Sequence, residues 1–490
     1  MKGGKQLNEA NIKTKAFSSI IWKFLERFVA QVVSLIVSII LARMLTPEDY
    51  STVGIVTIFF TFSNILISGG LNTALIQKKE ADEKDYSTVL NISIILSVIL
   101  YILLFLVAPF IADLYKQPIL IPIIRIMGLT LPINAVKSIW CAYISSNLDF
   151  KKFFFSTFGG VVISAIVGIS MALKGFGAWA LVAQQMVNVV SGTVILCLTT
   201  KISIRPKIYF DRFKTLFGYG WKVLVTSAIG TIYSEANPMI IGLKFSPVDL
   251  SFYTKGRSFP TMVSSTATST LSAVLFPVLA KYQDSKEKLL NHTRLFMRLS
   301  SFVSFPLMIG FLAVSDNFIH VLLTDKWLPA SPYIKIFCIS AMFDVIHIGN
   351  CETIKAMGRS DIYLIVEIIK KTGYFITIGI FLLFSNTPEM LALSYNVCTI
   401  IAIIVNSIPN KRLINYKYRH QLMDLMPNLI SAVIMGICVS FVGMLNINKV
   451  LLLVLQIITG GIVYLLINIV TKNKNLSYLL INFKNISKRK

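Results

Sequence analysis

Charged residues are scarce in this sequence: only 14% of its 490 residues are Asp, Glu, Lys or Arg, and 55% are hydrophobic. Soluble domains carry about 25% charged residues, and a soluble chain this apolar would expose large hydrophobic patches. The composition therefore indicates that lipid surrounds much of the protein. Only helices and closed barrels satisfy the backbone in lipid, and continuous apolar runs of about 20 residues favour helices.

Acidic residues are scarcer than basic ones, with 23 Asp and Glu against 47 Lys and Arg, and the net charge is +24. A strongly basic chain can indicate a nucleic-acid partner. Here, however, most Lys and Arg residues lie in short loops between apolar runs, and they concentrate in every second loop, as cytoplasmic loops do. The sequence thus predicts a multi-pass membrane protein with both termini in the cytoplasm and no nucleic-acid partner.

Motifs of catalysis and metal binding are missing. The six cysteines contain no Cys-x-x-Cys pair, and the four histidines show no metal-ligand spacing, so neither zinc nor disulfides are indicated. The chain has no P-loop and no nucleophile elbow, and its connections are too short for a soluble catalytic domain. We therefore expect no enzymatic activity, no cofactor and no metal.

Fourteen apolar runs are long enough to cross a membrane, which predicts an all-α integral membrane protein of about 14 transmembrane helices. The run at 250–280 is rich in Ser and Thr, which suits a helix that lines a cavity. The runs are 17–42, 52–75, 87–110, 121–145, 154–173, 177–200, 216–243, 250–280, 295–315, 331–354, 362–384, 390–408, 422–444 and 450–471.

A short motif occurs twice. Trp-Lys at 22–23 precedes Thr-Pro-x-Asp-x-Ser at 46–51, and Trp-Lys at 221–222 precedes Ser-Pro-x-Asp-x-Ser at 246–251. Each copy predicts a turn with Pro and an Asp that caps the next helix. Six runs separate the copies, so both halves have the same orientation. We expect an N-lobe of six helices (1–200), a C-lobe of six (201–420), and two C-terminal helices with a basic tail (421–490).

Ionisable side chains within apolar runs are costly and therefore suggest function. Basic side chains outnumber acidic ones there, which favours an anionic substrate, because Arg and Lys both bind phosphate. The candidate substrate-binding residues are Arg27, Arg125, Lys137 and Arg257. For each, the alternative is a side chain that reaches the headgroups or pairs with a neighbouring helix.

Three carboxylates are candidates for coupling transport to an ion. Glu235 is followed by Pro238, which leaves a carbonyl unpaired and can open a polar site in a helix. Asp344 and Glu352 lie eight residues apart on roughly one helix face, with His347 near it. The alternative is that these acidic groups form interhelical pairs.

Seven stretches, in chain order, resemble signature stretches of bacterial polysaccharide exporters, the lipid-linked oligosaccharide flippases of the multidrug/oligosaccharidyl-lipid/polysaccharide exporter superfamily, of lipopolysaccharide and colanic-acid type. At 51 and 251 this chain has Ser where such proteins often carry Gly. This difference affects the expected packing of the helices at these two positions and not the assignment to the family. The stretches are ILARMLTPEDY, GGLNTALIQKKEADEKDYSTV, LKGFGAWALVAQQ, IIGLKFSPVDLSFYTKGRSFP, LFPVLAKYQDSKEKL, LTDKWLPASPYIKI and IKAMGRSDIY.

The resemblance implies a two-lobed bundle in the bacterial inner membrane that works by alternating access. It implies an undecaprenyl-pyrophosphate-linked oligosaccharide as substrate, moved from the cytoplasmic to the periplasmic leaflet for surface polysaccharide biosynthesis. Membrane lipids and polysaccharide polymerase machinery are the expected partners. Related flippases line their cavity with cationic residues of the first and eighth helices, among others, and Arg27 and Arg257 match these by helix position.

Two alternatives remain at this point. A drug/cation antiporter of the same superfamily is expected to have an acidic interior, whereas the interior predicted here is basic. A polysaccharide polymerase would be an enzyme and is expected to carry a long outside loop with catalytic residues, whereas the longest predicted outside loop, near 316–330, is short.

Overall fold

The computed structural model describes residues 9–78, 81–147, 149–200, 202, 204–283 and 285–478. Within these ranges it gives no side-chain description for residues 9–21, 24, 266–274, 276–278 and 360. All the regular elements that it describes are helices, and they group into two compact units, Met1–Ser251 and Phe252–Lys490.

Unit 1 is built from nine helices in its described part. They are α1 (Glu9–Met44), α2 (Pro47–Ser68), α3 (Leu71–Gln77), α4 (Glu83–Leu114), α5 (Leu120–Gly128), α6 (Thr130–Asn147), α7 (Phe150–Leu173), α8 (Ala178–Thr199) and α9 (Phe210–Lys244).

Unit 2 contains most of α10 and all of the later helices. They are α10 (Pro247–Lys281), α11 (Lys286–Phe318) with a π-helical turn at Ile319–Leu323, a 3-10 helix at Asp325–Ala330, α12 (Ser331–Met342), α13 (Asp344–Ala356), α14 (Ser360–Phe384), α15 (Pro388–Leu413), α16 (Tyr418–Val442) and α17 (Lys449–Val470).

The prediction of an all-α integral membrane protein is confirmed. Each of the 14 predicted runs coincides with one helix or with a consecutive pair of helices. Eleven helical stretches among the searched residues are long and apolar enough to cross a membrane. The runs outside this set coincide with α9, α10 and α14; α14, for example, carries three charged residues within its run, Glu367, Lys370 and Lys371. The count of 14 is consistent with the structure.

Apolar side chains cover the outer faces of the helices. The exposed fraction reaches 70% at Leu106 of α4, 76% at Leu198 of α8 and 81% at Leu383 of α14. In water such surfaces would drive aggregation, whereas in a bilayer they lie against acyl chains. The helices therefore expose many large aliphatic side chains, and they bury small and polar positions, together with large residues such as Leu41 and Trp327, against one another.

The repeated motif adopts the same structure in both copies. At the start of α2, the amide of Asp49 donates to Thr46 Oγ1 (3.3 Å) and the amide of Thr46 donates to Asp49 Oδ2 (2.9 Å). At the start of α10, the amide of Asp249 donates to Ser246 Oγ (3.0 Å), and this hydroxyl donates to Asp249 Oδ2 (2.7 Å). In both copies the side chain of the Thr or Ser accepts from the Asp amide, as an N-cap does. At Thr46 the Asp49 side chain also closes a capping box.

Three predicted helices are broken. The second divides into α2 and α3 between Ser68 and Leu71, and the fourth and the tenth divide in a way similar to each other. The run at 121–145 divides into α5 and α6 at Leu129, whose amide donates to the Ile126 carbonyl three residues back (3.2 Å). The run at 331–354 divides into α12 and α13 at Phe343, whose amide donates in the same way to Ser340 (3.1 Å). An offset of six helices relates these last two breaks, as it relates the two copies of the motif.

Within unit 1, α9 packs closely against α3. Leu216 of α9 shares a buried apolar cluster with Leu75 of α3 and Tyr86 of α4. A Cβ atom added to Gly70, just before α3, would lie 2.3 Å from the Gly220 carbonyl oxygen of α9. Only glycine permits this approach of two backbones. Unit 1 includes α9, which the sequence places in the C-lobe; the predicted divisions at 200/201 and 420/421 stay predictions.

Candidate functional site

Lys137 of α6 is a half-buried cation within a spanning helix of unit 1. Its Nζ lies 3.4 Å from the place that a Cβ atom on Gly192 of α8 would occupy, so the missing side chain at Gly192 makes room for the ammonium group. The Gly192 carbonyl accepts a hydrogen bond from Ser156 of α7 (2.6 Å). Among the described residues, Lys137 forms neither a salt bridge nor a hydrogen bond.

Lys23 and Glu26 of α1 and Lys137 of α6 are all within electrostatic range of Cys141 of α6. Lys23 Nζ is 3.4 Å from Glu26 Oε2 and 4.3 Å from the ring centroid of Phe153 on α7. Glu26 is buried. We call Lys23, Glu26 and Lys137 the unit 1 charge cluster; it has two cations and one anion. The sequence did not predict that Lys23 and Lys137 act on the same part of unit 1.

Arg27 and Arg125 are positioned differently from Lys137. Arg27 is exposed on α1, on another face than the buried Glu26 beside it, as the 100° step of a helix requires. Arg125 of α5 places its guanidinium carbon 4.2 Å from the ring centroid of Phe105 on α4. Its Nε is buried and has no hydrogen-bond partner among the described residues, so this side chain retains an unused donor.

Glu235 is half-buried in α9, a continuous helix that contains Pro238. Ser234 Oγ donates a hydrogen bond to Glu235 Oε1 (3.3 Å). The sequence predicted a polar site near this proline, and the structure gives the carboxylate one hydroxyl neighbour in the same helix turn. A role for Glu235 in ion coupling stays a prediction.

Arg257 and Asp344 converge on Tyr395 in unit 2. Arg257 of α10 lies 6.0 Å from the ring centroid of Phe337 on α12. Asp344, the first residue of α13, accepts a hydrogen bond from Ser264 of α10. Tyr395 of α15 is within electrostatic range of both charged groups. The helix break before Asp344 therefore places a carboxylate at a helix N-terminus, where the helix dipole favours it.

The side chains of Asp344, His347 and Glu352 make separate contacts, although the sequence placed all three on roughly one face of α13. Asp344 contacts Ser264, whereas Glu352 Oε1 lies 3.2 Å from Lys355 Nζ. The Nδ1 atom of His347 lies 2.8 Å from Asn406 Nδ2 on α15. The predicted stripe is thus divided among three sets of neighbours in unit 2.

A further group of polar side chains surrounds His347. Cys351 Sγ is 3.6 Å from His347 Nδ1. One ligand atom each from His347, Cys351 and Glu367 of α14 lie within 4.8 Å of one another. Lys370 Nζ is 2.5 Å from Glu367 Oε1. The sequence search considered His–His and Cys–Cys spacings and missed the mixed His347–Cys351 pair, which is one helical turn apart.

A charged group also lies at the N-terminus of α4, outside the apolar part of that helix. Lys78 Nζ is 2.6 Å from Asp85 Oδ2, and Arg212 of α9 donates to Asp82 Oδ2 (3.1 Å). Partial burial acts to raise the pKa of Asp82, but its hydrogen bonds with Asp85 and the charges of Arg212 and Lys78 outweigh burial and lower this pKa. The charges therefore stabilise the start of α4.

Comparisons with known proteins agree with this membrane-embedded architecture. A family model described as polysaccharide biosynthesis protein matches residues 40–332. The chain is 24% identical to the teichuronic acid biosynthesis protein TuaB of Bacillus subtilis (strain 168), over 72% of this chain and 73% of that protein. It is 22% identical to the succinoglycan biosynthesis transport protein ExoT of Rhizobium meliloti (strain 1021), over 61% of each chain.

The fold also resembles that of a solved transporter. A structure of the lipid II flippase MurJ in an inward closed conformation matches with a TM-score of 0.73 and 16% identity, over 93% of this chain and 99% of that one. At this identity the likeness concerns the fold alone. The family model covers more than half of the sequence, and it confirms the resemblance drawn from the motifs. This multi-pass membrane protein belongs to the polysaccharide biosynthesis protein family.

Proposed function

We propose that the protein is a flippase, without enzymatic activity, for an undecaprenyl-pyrophosphate-linked oligosaccharide. It acts in the bacterial inner membrane with both termini in the cytoplasm, and it moves this substrate from the cytoplasmic to the periplasmic leaflet by alternating access. The names of its relatives support this proposal, since TuaB and ExoT are named for polysaccharide biosynthesis and transport and MurJ is named a lipid flippase.

Lys137 is the observation that carries the proposal. An ammonium group at membrane depth is costly unless it is paired, and Lys137 has no carboxylate partner among the described residues. The unit 1 charge cluster has a net charge of one positive unit, with Glu26 already 3.4 Å from Lys23. An anion that enters from the membrane would supply the missing partner. A pyrophosphate offers several oxygens to such a point charge.

Unit 2 offers a second position for the same substrate class. Arg257 lies beside the aromatic ring of Phe337, and guanidinium groups bind phosphates bidentately. Hydroxyl and amide groups suited to sugars accompany it, since Ser340 donates to Asn396 near Tyr395. Arg27, which is exposed, and Arg125, whose Nε has a free donor, complete the proposed set of substrate-binding cations.

Turnover against a gradient requires an energy source, and we propose ion coupling through a carboxylate. Asp344 is the strongest candidate, because it begins α13 at the helix break and interacts with Tyr395 together with Arg257. Glu235 and Glu352 remain candidates, and Glu352 already lies 3.2 Å from Lys355. An ion that binds Asp344 would change the charge balance around Arg257 and could thereby release the pyrophosphate.

The test replaces Lys137 in a strain that lacks the chromosomal gene. We expect Lys137→Ala to abolish surface polysaccharide and Lys137→Arg, which keeps the charge, to retain part of it. The matched control is Lys152→Ala, since Lys152 pairs with Asp149 at a partly exposed position of α7; it should export normally. Unimpaired export by Lys137→Ala at normal protein level would contradict the proposed role of this residue. Arg27→Ala and Arg257→Ala are measured in the same assay and judged by the same criterion.

The two alternatives predict different phenotypes. A polymerase would leave single lipid-linked units on the periplasmic face of the deletion strain. A drug/cation antiporter would give drug sensitivity with normal polysaccharide. We expect neither: lipid-linked units should accumulate on the cytoplasmic face, because the substrate cannot cross.

A further inference from the structure

We propose that His347, Cys351 and Glu367 bind a divalent transition-metal ion of the zinc class within unit 2. The site joins α13, which supplies His347 and Cys351, to α14, which supplies Glu367. It is separate from the proposed substrate-binding cations, and it does not depend on the flippase proposal. A bound ion would fix the position of α14 relative to α13.

The spacing of the three groups supports this site. His347 and Cys351 are four residues apart on α13, so both side chains project from the same face. Zinc–ligand distances of about 2.0–2.3 Å place tetrahedral ligand atoms roughly 3.3–3.8 Å apart. The His347 Nδ1 to Cys351 Sγ distance, 3.6 Å, already meets this requirement. All three ligand atoms are within 4.8 Å, so rotation of the Glu367 side chain completes the approach.

The chemistry of the ligands selects the class of ion. Thiolate and imidazole are ligands for zinc and its neighbours in the transition series, whereas Mg²⁺ and Ca²⁺ prefer sets made of oxygen atoms. The Cys351 side chain is buried, and those of His347 and Glu367 are partly buried, so water competes weakly. Asn406 of α15 lies beside both α13 ligands: its Nδ2 is 2.8 Å from His347 Nδ1 and its Oδ1 is 3.7 Å from Cys351 Sγ. A metal at His347 Nδ1 takes the lone pair that the Asn406 amide nitrogen faces, so this amide must rotate away when the ion binds.

Lys370 competes with the metal for Glu367. Its ammonium group is 2.5 Å from Glu367 Oε1, and a cation there opposes a second cation nearby. A carboxylate has two oxygens, however, and can serve an ammonium group and a metal at once. The competition gives a clear expectation: removal of the Lys370 charge should tighten metal binding, whereas it would have no such effect on a cluster that holds no ion.

The experiment titrates the purified full-length protein in detergent with Co²⁺ after treatment with a chelator. We expect a thiolate-to-cobalt charge-transfer band and the visible bands of a tetrahedral site, both abolished by excess Zn²⁺. Cys351→Ser should lose the charge-transfer band, and the matched control Cys398→Ser, which alters another buried cysteine of unit 2, should keep it. Lys370→Met should bind Co²⁺ more tightly.

Two results would overturn the site. One is the absence of cobalt absorption from monodisperse protein at saturating Co²⁺; the other is a charge-transfer band that survives in Cys351→Ser. If that variant fails to fold, alkylation of the wild-type protein decides: Zn²⁺ should slow modification at Cys351 and leave Cys398 unaffected. Equal rates with and without Zn²⁺ contradict the proposal. This experiment measures no transport, so a negative result here does not affect the flippase proposal. A negative transport result likewise does not affect the proposed metal site.

Discussion

The contact between Gly70 and Gly220 predicts a sharp difference among three alanine substitutions. In Gly70→Ala, the new Cβ would lie 2.3 Å from the Gly220 carbonyl oxygen, about 1 Å closer than an ordinary C···O contact of about 3.3 Å. Such overpacking costs about 1–3 kcal/mol, offset by about 0.4–1 kcal/mol from the less flexible unfolded chain. The net destabilisation is about 1–2 kcal/mol.

Two substitutions in α9 calibrate this value. In Gly220→Ala, the Cβ meets Gly70 backbone atoms at 3.1 Å, a milder clash that the gain in helix propensity, about 0.5–1 kcal/mol, nearly cancels. In Gly218→Ala, two residues away, nothing lies within 4 Å of the Cβ, so only the propensity gain remains. The expected order of stability is Gly218→Ala above wild type, Gly220→Ala near wild type, and Gly70→Ala below it.

The assay is thermal unfolding of the purified variants in one detergent, followed by the exposure of buried cysteines to a thiol-reactive dye. At about 2–4 °C per kcal/mol for a unit of this size, Gly70→Ala should lower the apparent Tm by several degrees. Equal midpoints for Gly70→Ala and Gly218→Ala would refute the close approach of α3 and α9 and, with it, the packing of unit 1 described above.

Three further substitutions test single interactions by the same unfolding assay. Arg294→Met leaves the buried Asp424 carboxylate without its 2.7 Å partner and should cost about 1–3 kcal/mol; an unchanged midpoint would contradict the pair. Tyr464→Phe removes the donor to the buried Phe302 carbonyl (2.8 Å) and should cost about 1 kcal/mol, whereas a gain in stability would oppose it. Because the pKa of Asp82 is lowered in the fold, its contribution is present above the unfolded-state pKa of about 3.9 and is lost as pH falls through the folded-state value. Asp82→Asn should therefore be less acid-sensitive than wild type as the pH falls below about 4, and equal acid sensitivity there would rule out this contribution.

The helical architecture was predictable from the sequence because hydropathy and helix length both follow from the thickness of the bilayer. The motif at 46–51 and 246–251 also predicted where α2 and α10 begin, since capping is a local interaction. The break at Phe343 was not predictable, because no Pro or Gly lies within one helical turn of it and a continuous apolar run does not show whether its helix continues or turns. The break at Leu129 has a local signal, Gly128 and Pro132, which the prediction of one continuous helix did not use.

The candidate site was predictable only in part. The rarity of charge in apolar runs was enough to single out Lys137 and Arg257. Which residues meet depends on how the helices pack, and no spacing within one helix contains this information. Lys23 and Lys137, on α1 and α6, both act on Cys141, and Glu367 of α14 lies close to His347 of α13. The pair His347 and Cys351 was missed because only His–His and Cys–Cys spacings were considered as metal-ligand patterns, and not a mixed His–Cys spacing.

The central claim is that the protein carries an anionic lipid-linked sugar across the bilayer by means of its interior cations. The most direct measurement reconstitutes the purified protein into liposomes that hold a labelled undecaprenyl-pyrophosphate oligosaccharide in one leaflet. The label's access to an impermeant reagent or enzyme in the other compartment is then followed. We predict translocation by wild type and by Lys152→Ala, and loss of translocation in Lys137→Ala. Wild-type liposomes with correctly inserted protein that translocate no faster than empty ones, or equal rates for wild type and Lys137→Ala, would contradict the account.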